Sequence, residues 1–275
     1  MDDKFFSDNL WYHFLTGEFK VPPPPGYLVF MKTLGKVYKA LPSHPHCVEC
    51  GIPMAGLGGG ALRMLGSAPS SFSSRLCSAC ENAVRKHEGG AELELTLLFA
   101  DVRNSTPLAE EKGIRGFKEI INRFYKETSK VLIEHNALVN RLMGDQVIAL
   151  FVPRFAGLNH AKTALAATRD LLRVTGHGEE NDPWVPVGVG IHSGAAYVGT
   201  VGSANGVNEV AVLGSAANLC ARLSSRAGAG EILISEDSVK TGNLDVTGLE
   251  SRSLELKGVS QPIAVWVEKI IGPTG

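Results

Sequence analysis

Residues 93–101, LELTLLFAD, form a nearly unbroken apolar run that stops on a carboxylate. Such a run reads as a mostly buried strand, which commits the chain to a sheet with a packed core. A polar turn, VRNST (102–106), follows at once. Asp101 therefore has two readings. It is a helix N-cap, since Asp and Thr stop strands and start helices, or it is a metal ligand placed at a strand tip. The rest of the chain has to separate these two.

Beyond the turn, Phe117, Ile120, Ile121, Phe124, Thr128, Val131 and Leu132 recur at near-helical spacing, the pattern of an amphipathic helix. ALVNRLMGDQVIALFVP (137–153) is two strand-like runs meeting at Gly144-Asp145, a hairpin-like junction. HAKTALAATRDLLRVTG (160–176) reads as a second helix that ends at a glycine. VPVGVGIHSGAAYVGTVG (185–202) reads as a Gly-rich strand, and SAANLCARLSSRAGAG (215–230) as a third helix. EILIS and PIAVWVEKI supply later strands. The order β-α-β-β-α-β-α-β predicts an α+β, ferredoxin-like sheet with helices on one face.

Residues 1–90 differ in texture. PPPP (22–25), GLGGG (56–60) and SAPSSFSS (67–74) are turn and linker signals. We expect an N-terminal region over 1–90 and a regular α+β domain over 91–271. A net charge of −1 gives no nucleic-acid footprint. No apolar run approaches the roughly 20 residues that span a bilayer, and MDDKFFSDNL lacks a signal-peptide pattern. The expected location is the cytoplasm. There, five cysteines favour metal binding over disulfides.

Four of those cysteines form CVEC (47–50) and CSAC (77–80), with 26 residues between the pairs. Cys47, Cys50, Cys77 and Cys80 suit a structural tetrahedral Zn²⁺ in a small zinc-ribbon-like segment. An iron–sulfur cluster uses the same ligand set, and His44 or His46 lies near enough to replace a thiolate. The fifth, Cys220, reads as a core thiol. WYHFL (11–15) and residues 26–41 read as an apolar helical hairpin.

Asp101 and Asp145 end neighbouring strands of such a sheet, so both carboxylates could meet at one edge and suit Mg²⁺ or Mn²⁺. At this point FADVRNST and LMGDQVIALF resemble the class III adenylate and guanylate cyclases. In that family FADxxxxT carries one metal Asp and a GD hairpin carries the other. Their separation of 44 positions here is typical of it. VLGSAANLCARL (212–223) resembles the family stretch G-x-x-V-N-x-A-x-R, and LELKG (254–258) resembles its closing strands. Some bacterial relatives also carry a Cys-rich segment ahead of the domain.

The resemblance implies attack of a nucleotide's ribose 3′-hydroxyl on its own α-phosphate, with two metal ions per site. Asp101, Asp145 and the Val102 carbonyl would hold the metals. The turn with Asn104, Ser105 and Thr106 would cradle the phosphates, and Lys257 would add positive charge. Arg222 would stabilise charge on the α-phosphate while Asn218 orients the ribose. In the family these sets come from opposite subunits, so a homodimer with shared active sites is implied.

Arg141 and Ala211 stand at the two base-reading positions. Arginine is a pure donor and alanine makes no hydrogen bond. Weaker base selectivity is expected, with ATP as the first substrate and GTP the second. Asn104 and Ser105 replace a frequent Gly and Phe, and Ser215 replaces a common acidic residue. These departures motivate the alternative of a catalytically weak, nucleotide-binding dimerisation module. A zinc-ribbon protein acting on nucleic acid is disfavoured by the charge balance. His192 reads as structural.

Overall fold

The computed structural model describes residues 3–26, 33, 35–36, 38, 45–56, 59–60, 68–70, 73–86, 88–180, 182–202, 209–256 and 261–270, with the backbone alone at 3–6 and 141. Lys257, His44 and most of the expected hairpin segment 26–41 lie outside the described residues.

The chain divides into two compact units. One takes Met1–Leu93 with Tyr197–Val212, and the other takes Glu94–Ala196 with Leu213–Gly275. In chain order the described elements begin with helices α1 (Asp3–Thr16) and α2 (Ser78–Lys86), strand β1 (Gly90–Val102) and helix α3 (Ser105–Glu134). The hairpin β2 (Leu138–Met143) and β3 (Gln146–Phe151) follows, then a helical turn α4 (Pro153–Ala156) and helix α5 (His160–Val174). Last come β4 (Val187–Val201), β5 (Glu209–Leu213), α6 (Ser215–Arg226), β6 (Glu231–Ser235), α7 (Glu236–Gly242), β7 (Glu250–Leu254) and β8 (Ile263–Lys269).

The sheet order is β2-β3-β1-β4-β6-β8-β7, with β5 paired to β4. Its first four strands have the order of a ferredoxin-like fold, so the expected α+β arrangement stands. β1 and β3 run antiparallel with Thr96 opposite Phe151 and Asp101 opposite Gln146. The β2–β3 loop is two residues, Gly144 and Asp145, between the paired Met143 and Gln146. Gly144 has φ of 64°, and a positive φ at the first central position favours glycine.

Helices cover both faces, not the one expected. On one side α3 and α5 pack on Leu98, Ala100, Val102, Val187, Val189 and Ile191. On the other, Leu223 and Ala227 of α6 and its C-cap cluster with Leu233, Val265 and Val267. The alternation in VGVGI explains this: valines face the first core, and glycines let α6 settle on β4. A Cβ on Gly190 would lie 2.5 Å from the Ser224 amide nitrogen and 2.8 Å from the Cys220 carbonyl; one on Gly188 would lie 2.6 Å from the Ala227 carbonyl. Cys220 is fully buried in this contact, its thiol donating to the Leu97 and Gly190 carbonyls at 3.3 Å. β5, α7 and most of β7 were not anticipated by pattern.

A buried polar chain crosses the same unit. The Thr96 hydroxyl bonds His160 Nδ1 and Ser193 Oγ, each at 2.7 Å. Ser193 donates to Ser238 at 3.0 Å, and Ser235 bonds both Ser238 and His192 Nδ1. This gives His192 the structural role expected of it. Burial lowers the pKa of both histidines, with Asp237 opposing it at His192. Both take up a proton less readily in the folded chain than in the unfolded one, so the unfolded chain binds more protons below about pH 6.5. Stability is full above that pH and falls as pH drops through it.

In the first unit, Ser7 of α1 donates to the Glu88 carbonyl and Asp8 accepts from the Gly90 amide at 2.9 Å. Thr200 of β4 accepts from the Gly89 amide at 2.9 Å. Trp11, Phe14, Leu15, Met54 and Leu76 are buried here.

Two outcomes follow from the second unit. Gly190→Ala should lower stability by about 1–3 kcal/mol, because the added methyl meets helix backbone and not a yielding side chain; urea unfolding measures it. The urea midpoint of the native chain should also fall from pH 7.5 to pH 5.5, and by less in His160→Gln.

Candidate active site and cysteine cluster

Strand pairing brings the two predicted carboxylates to one place. Asp101 ends β1 opposite Gln146, Asp145 precedes Gln146, and the Val102 amide donates to the Asp145 carbonyl at 3.0 Å. Gln146 Nε2 also donates to Asp101 Oδ2 at 3.3 Å. Tyr125 of α3 donates to the Gly144 carbonyl at 2.6 Å and so holds the hairpin tip. Both Asp101 and Asp145 are half-buried. Two carboxylates and the Val102 carbonyl form an all-oxygen donor set, the chemistry that hard divalent cations require.

Asn104 caps α3 in a left-handed conformation, with φ of 54° and no side-chain cap bond. Asparagine is among the few residues that visit this region readily, which accounts for its replacing a glycine of the family motif. Ser105 and Thr106 open the helix, whose first turn holds no acidic residue. Its amides therefore remain attractive to anions.

The sequence reading missed Arg103. Its guanidinium is paired to the Asp101 carboxylate. Nε donates to the Asp101 carbonyl at 3.2 Å and Nη1 to the Ser225 carbonyl at 3.1 Å. Burial lowers its pKa, and the charge of Asp145 opposes the shift. A basic residue two positions after a strand-tip aspartate was the available signal.

Asn218 and Arg222 sit four apart on α6, with Asn218 exposed and Arg222 half-buried. Among the described residues neither side chain has a hydrogen-bond partner. Arg141 lies on β2 beyond an irregularity between Val139 and Arg141, its Cα opposite Ile148, with its side chain outside the description. Ala211 lies on β5.

In the first unit, the sulfurs of Cys47, Cys50, Cys77 and Cys80 all lie within 4.8 Å of one another. The Cys50–Cys77 separation is 3.7 Å; four thiolates at about 2.3 Å around a tetrahedral zinc stand about 3.8 Å apart. The two CxxC loops are braced by isolated bridges, His46 with Pro53 and Pro69 with Cys77. The Cys77 amide donates to Cys47 Sγ at 3.4 Å, a bond of the kind that steadies a thiolate. Neighbouring thiols hold the Cys47 pKa low and push Cys80 up. The group fits an all-cysteine metal site, and His46 is not part of it.

The catalytic-domain family of adenylate and guanylate cyclases matches residues 91–269. The chain belongs to that family, the class III nucleotide cyclases. An adenylate cyclase of Anabaena cylindrica is 26% identical over 185 residues, covering 64% of this chain and 36% of the relative. The curated relatives are longer, and the chain spans only 17% of another. The crystal structure of the guanylyl cyclase Cya2 superposes with a TM-score of 0.57 at 27% identity, covering 65% of this chain and 92% of that one. The adenylyl cyclase CyaB from P. aeruginosa gives 0.55 at 24%, covering 65% and 94%. No helix among the described residues is long and apolar enough to cross a membrane.

Purified under reducing conditions, the protein should carry about one zinc per chain by atomic emission. Cys77→Ser should carry close to none and lose protease resistance across residues 1–93.

Proposed function

We propose that the chain is a nucleotide cyclase that converts ATP, and GTP with little discrimination, to the 3′,5′-cyclic nucleotide and pyrophosphate. The observation that carries this reading is the β1–β3 register, which sets Asp101 and Asp145 at adjoining strand tips. Asp101, Asp145 and the Val102 carbonyl would hold divalent ions, which would supply Lewis acidity to the ribose hydroxyl and the phosphates.

The chain's own groups divide the remaining work. The amides of Val102 and Arg103 already bond the Asp145 and Pro186 carbonyls, so those of Asn104, Ser105 and Thr106 bind the terminal phosphates, with Lys257 adding charge beside them. Arg222 meets the charge that grows on the α-phosphate, a role worth about 3–4 kcal/mol. Asn218 orients the ribose. Arg141 donates to the base, and Ala211 leaves the second base contact unmade, so neither purine is strongly rejected. One chain carries both the carboxylates and the Asn218–Arg222 pair. A symmetric dimer would therefore hold two equivalent sites, each drawing one set from each subunit. Nucleotide binding without turnover is the competing reading, motivated by Arg141, Ala211 and Ser215.

Incubation with ATP or GTP and Mn²⁺, with products identified by mass, tests the reaction. Asp145→Ala should abolish product, and Arg222→Ala should lower the rate by about 10²–10³. Asp101→Ala, inactive alone, and Arg222→Ala, slowed alone, should on mixing exceed the activity of either. No such gain in verified heterodimers would sink the shared site. Bound nucleotide with no product would leave the competing reading.

A further inference from the structure

Arg103 has no role in the reaction outlined above, yet it is built into the same strand tip. Its backbone amide donates to the Pro186 carbonyl at 2.8 Å. Nε and Nη1 are fastened to the Asp101 and Ser225 carbonyls, which leaves Nη2 on the Asp101 carboxylate. The side chain is only 18% exposed. The guanidinium also feels the charge of Asp145. A fixed, permanently charged fork thus stands against one carboxylate and within the field of the other.

Two carboxylates carried on adjoining strand tips repel unless a cation lies with them. Arginine meets that need without a metal, since it stays protonated and matches carboxylate geometry. A divalent ion at Asp101 needs the oxygen that Nη2 now holds, and it would stand beside a like charge.

We infer that Arg103 is a built-in counter-ion that competes with divalent metal for Asp101 and thereby sets the metal affinity of the site. Displacement of Nη2 leaves Nη1 on Ser225, three residues past Arg222 on the turn that ends α6. Metal loading would then free one arm of a residue still tied to the helix that carries Asn218 and Arg222. The inference rests on the two-carboxylate metal reading of the proposed function.

Mn²⁺ binding to the full chain, followed by electron paramagnetic resonance without nucleotide, reads the effect directly. Arg103→Met should bind Mn²⁺ about tenfold more tightly than the native chain. Arg103→Lys, which keeps the charge, should lie nearer the native value, and urea midpoints would verify that both variants fold. Unchanged or weaker Mn²⁺ binding in Arg103→Met would overturn the inference, as would a loss confined to nucleotide affinity. Asp101→Asn and Asp145→Asn separate the two layers. If neither alters Mn²⁺ binding, the metal reading itself fails and the counter-ion role falls with it. If both weaken binding while Arg103→Met changes nothing, only the counter-ion role fails.

Discussion

The antiparallel register of β1 on β3 is the constraint on which the candidate site depends. Asp101 faces Gln146 because the hairpin closes in two residues at Gly144 and Asp145. A slip by one position would turn Leu98, Ala100 and Val102 away from their core and move Asp101 off the tip. Burial of that face therefore fixes which adjoining backbone positions carry the two carboxylates. Nothing lies within 4 Å of a Cβ placed at Gly144. Its glycine answers to backbone conformation alone, and the Tyr125 hydroxyl holds the resulting turn from outside.

The second constraint is the approach of α6 to β4. Cys220, Leu223 and Ser224 meet the strand at Gly190, where a side chain would keep the helix away. The positions of Asn218 and Arg222 follow from that contact, since they ride the exposed side of the same helix. The strand-tip carboxylates and the Asn218–Arg222 pair are thus each positioned by main-chain packing. Their chemistry is carried by side chains that the packing leaves available.

Much of this was legible in the sequence, for a physical reason. Long apolar runs and 3.6-residue spacing announce elements that bury area, so β1, α3, β2, β3, α5, β4 and α6 were readable. β5, α7 and β7 bury little of their own length and gave no periodicity. The helix face was misjudged because VGVGI was read for its composition and not for its alternation; the valines and glycines point to different layers. Of the site, Asp101, Asp145 and the cysteine pairs were marked by their motifs. Arg103 was not, because a lone charge in a turn looks solvated until the strand tip and the end of α6 are both in place. The Cys-rich segment gave its candidate ligands by spacing, whereas the buried Trp11, Phe14 and Leu15 of the same unit lie on a helix far from any cysteine in sequence.

The first compact unit contains residues 197–212 as well as 1–93. The outer half of β4 and nearly all of β5 therefore share a body with the cysteine cluster, and Gly89 and Gly90 meet Thr200 and Asp8 within it. The stretch that matches the cyclase family, 91–269, thus lends its β4–β5 ribbon to the unit that holds the cysteines. Insertion or loss of the segment before it in evolution would require matching changes in the β4–β5 ribbon. Covariation between those two stretches, and not between neighbours in sequence, is the trace such a history would leave.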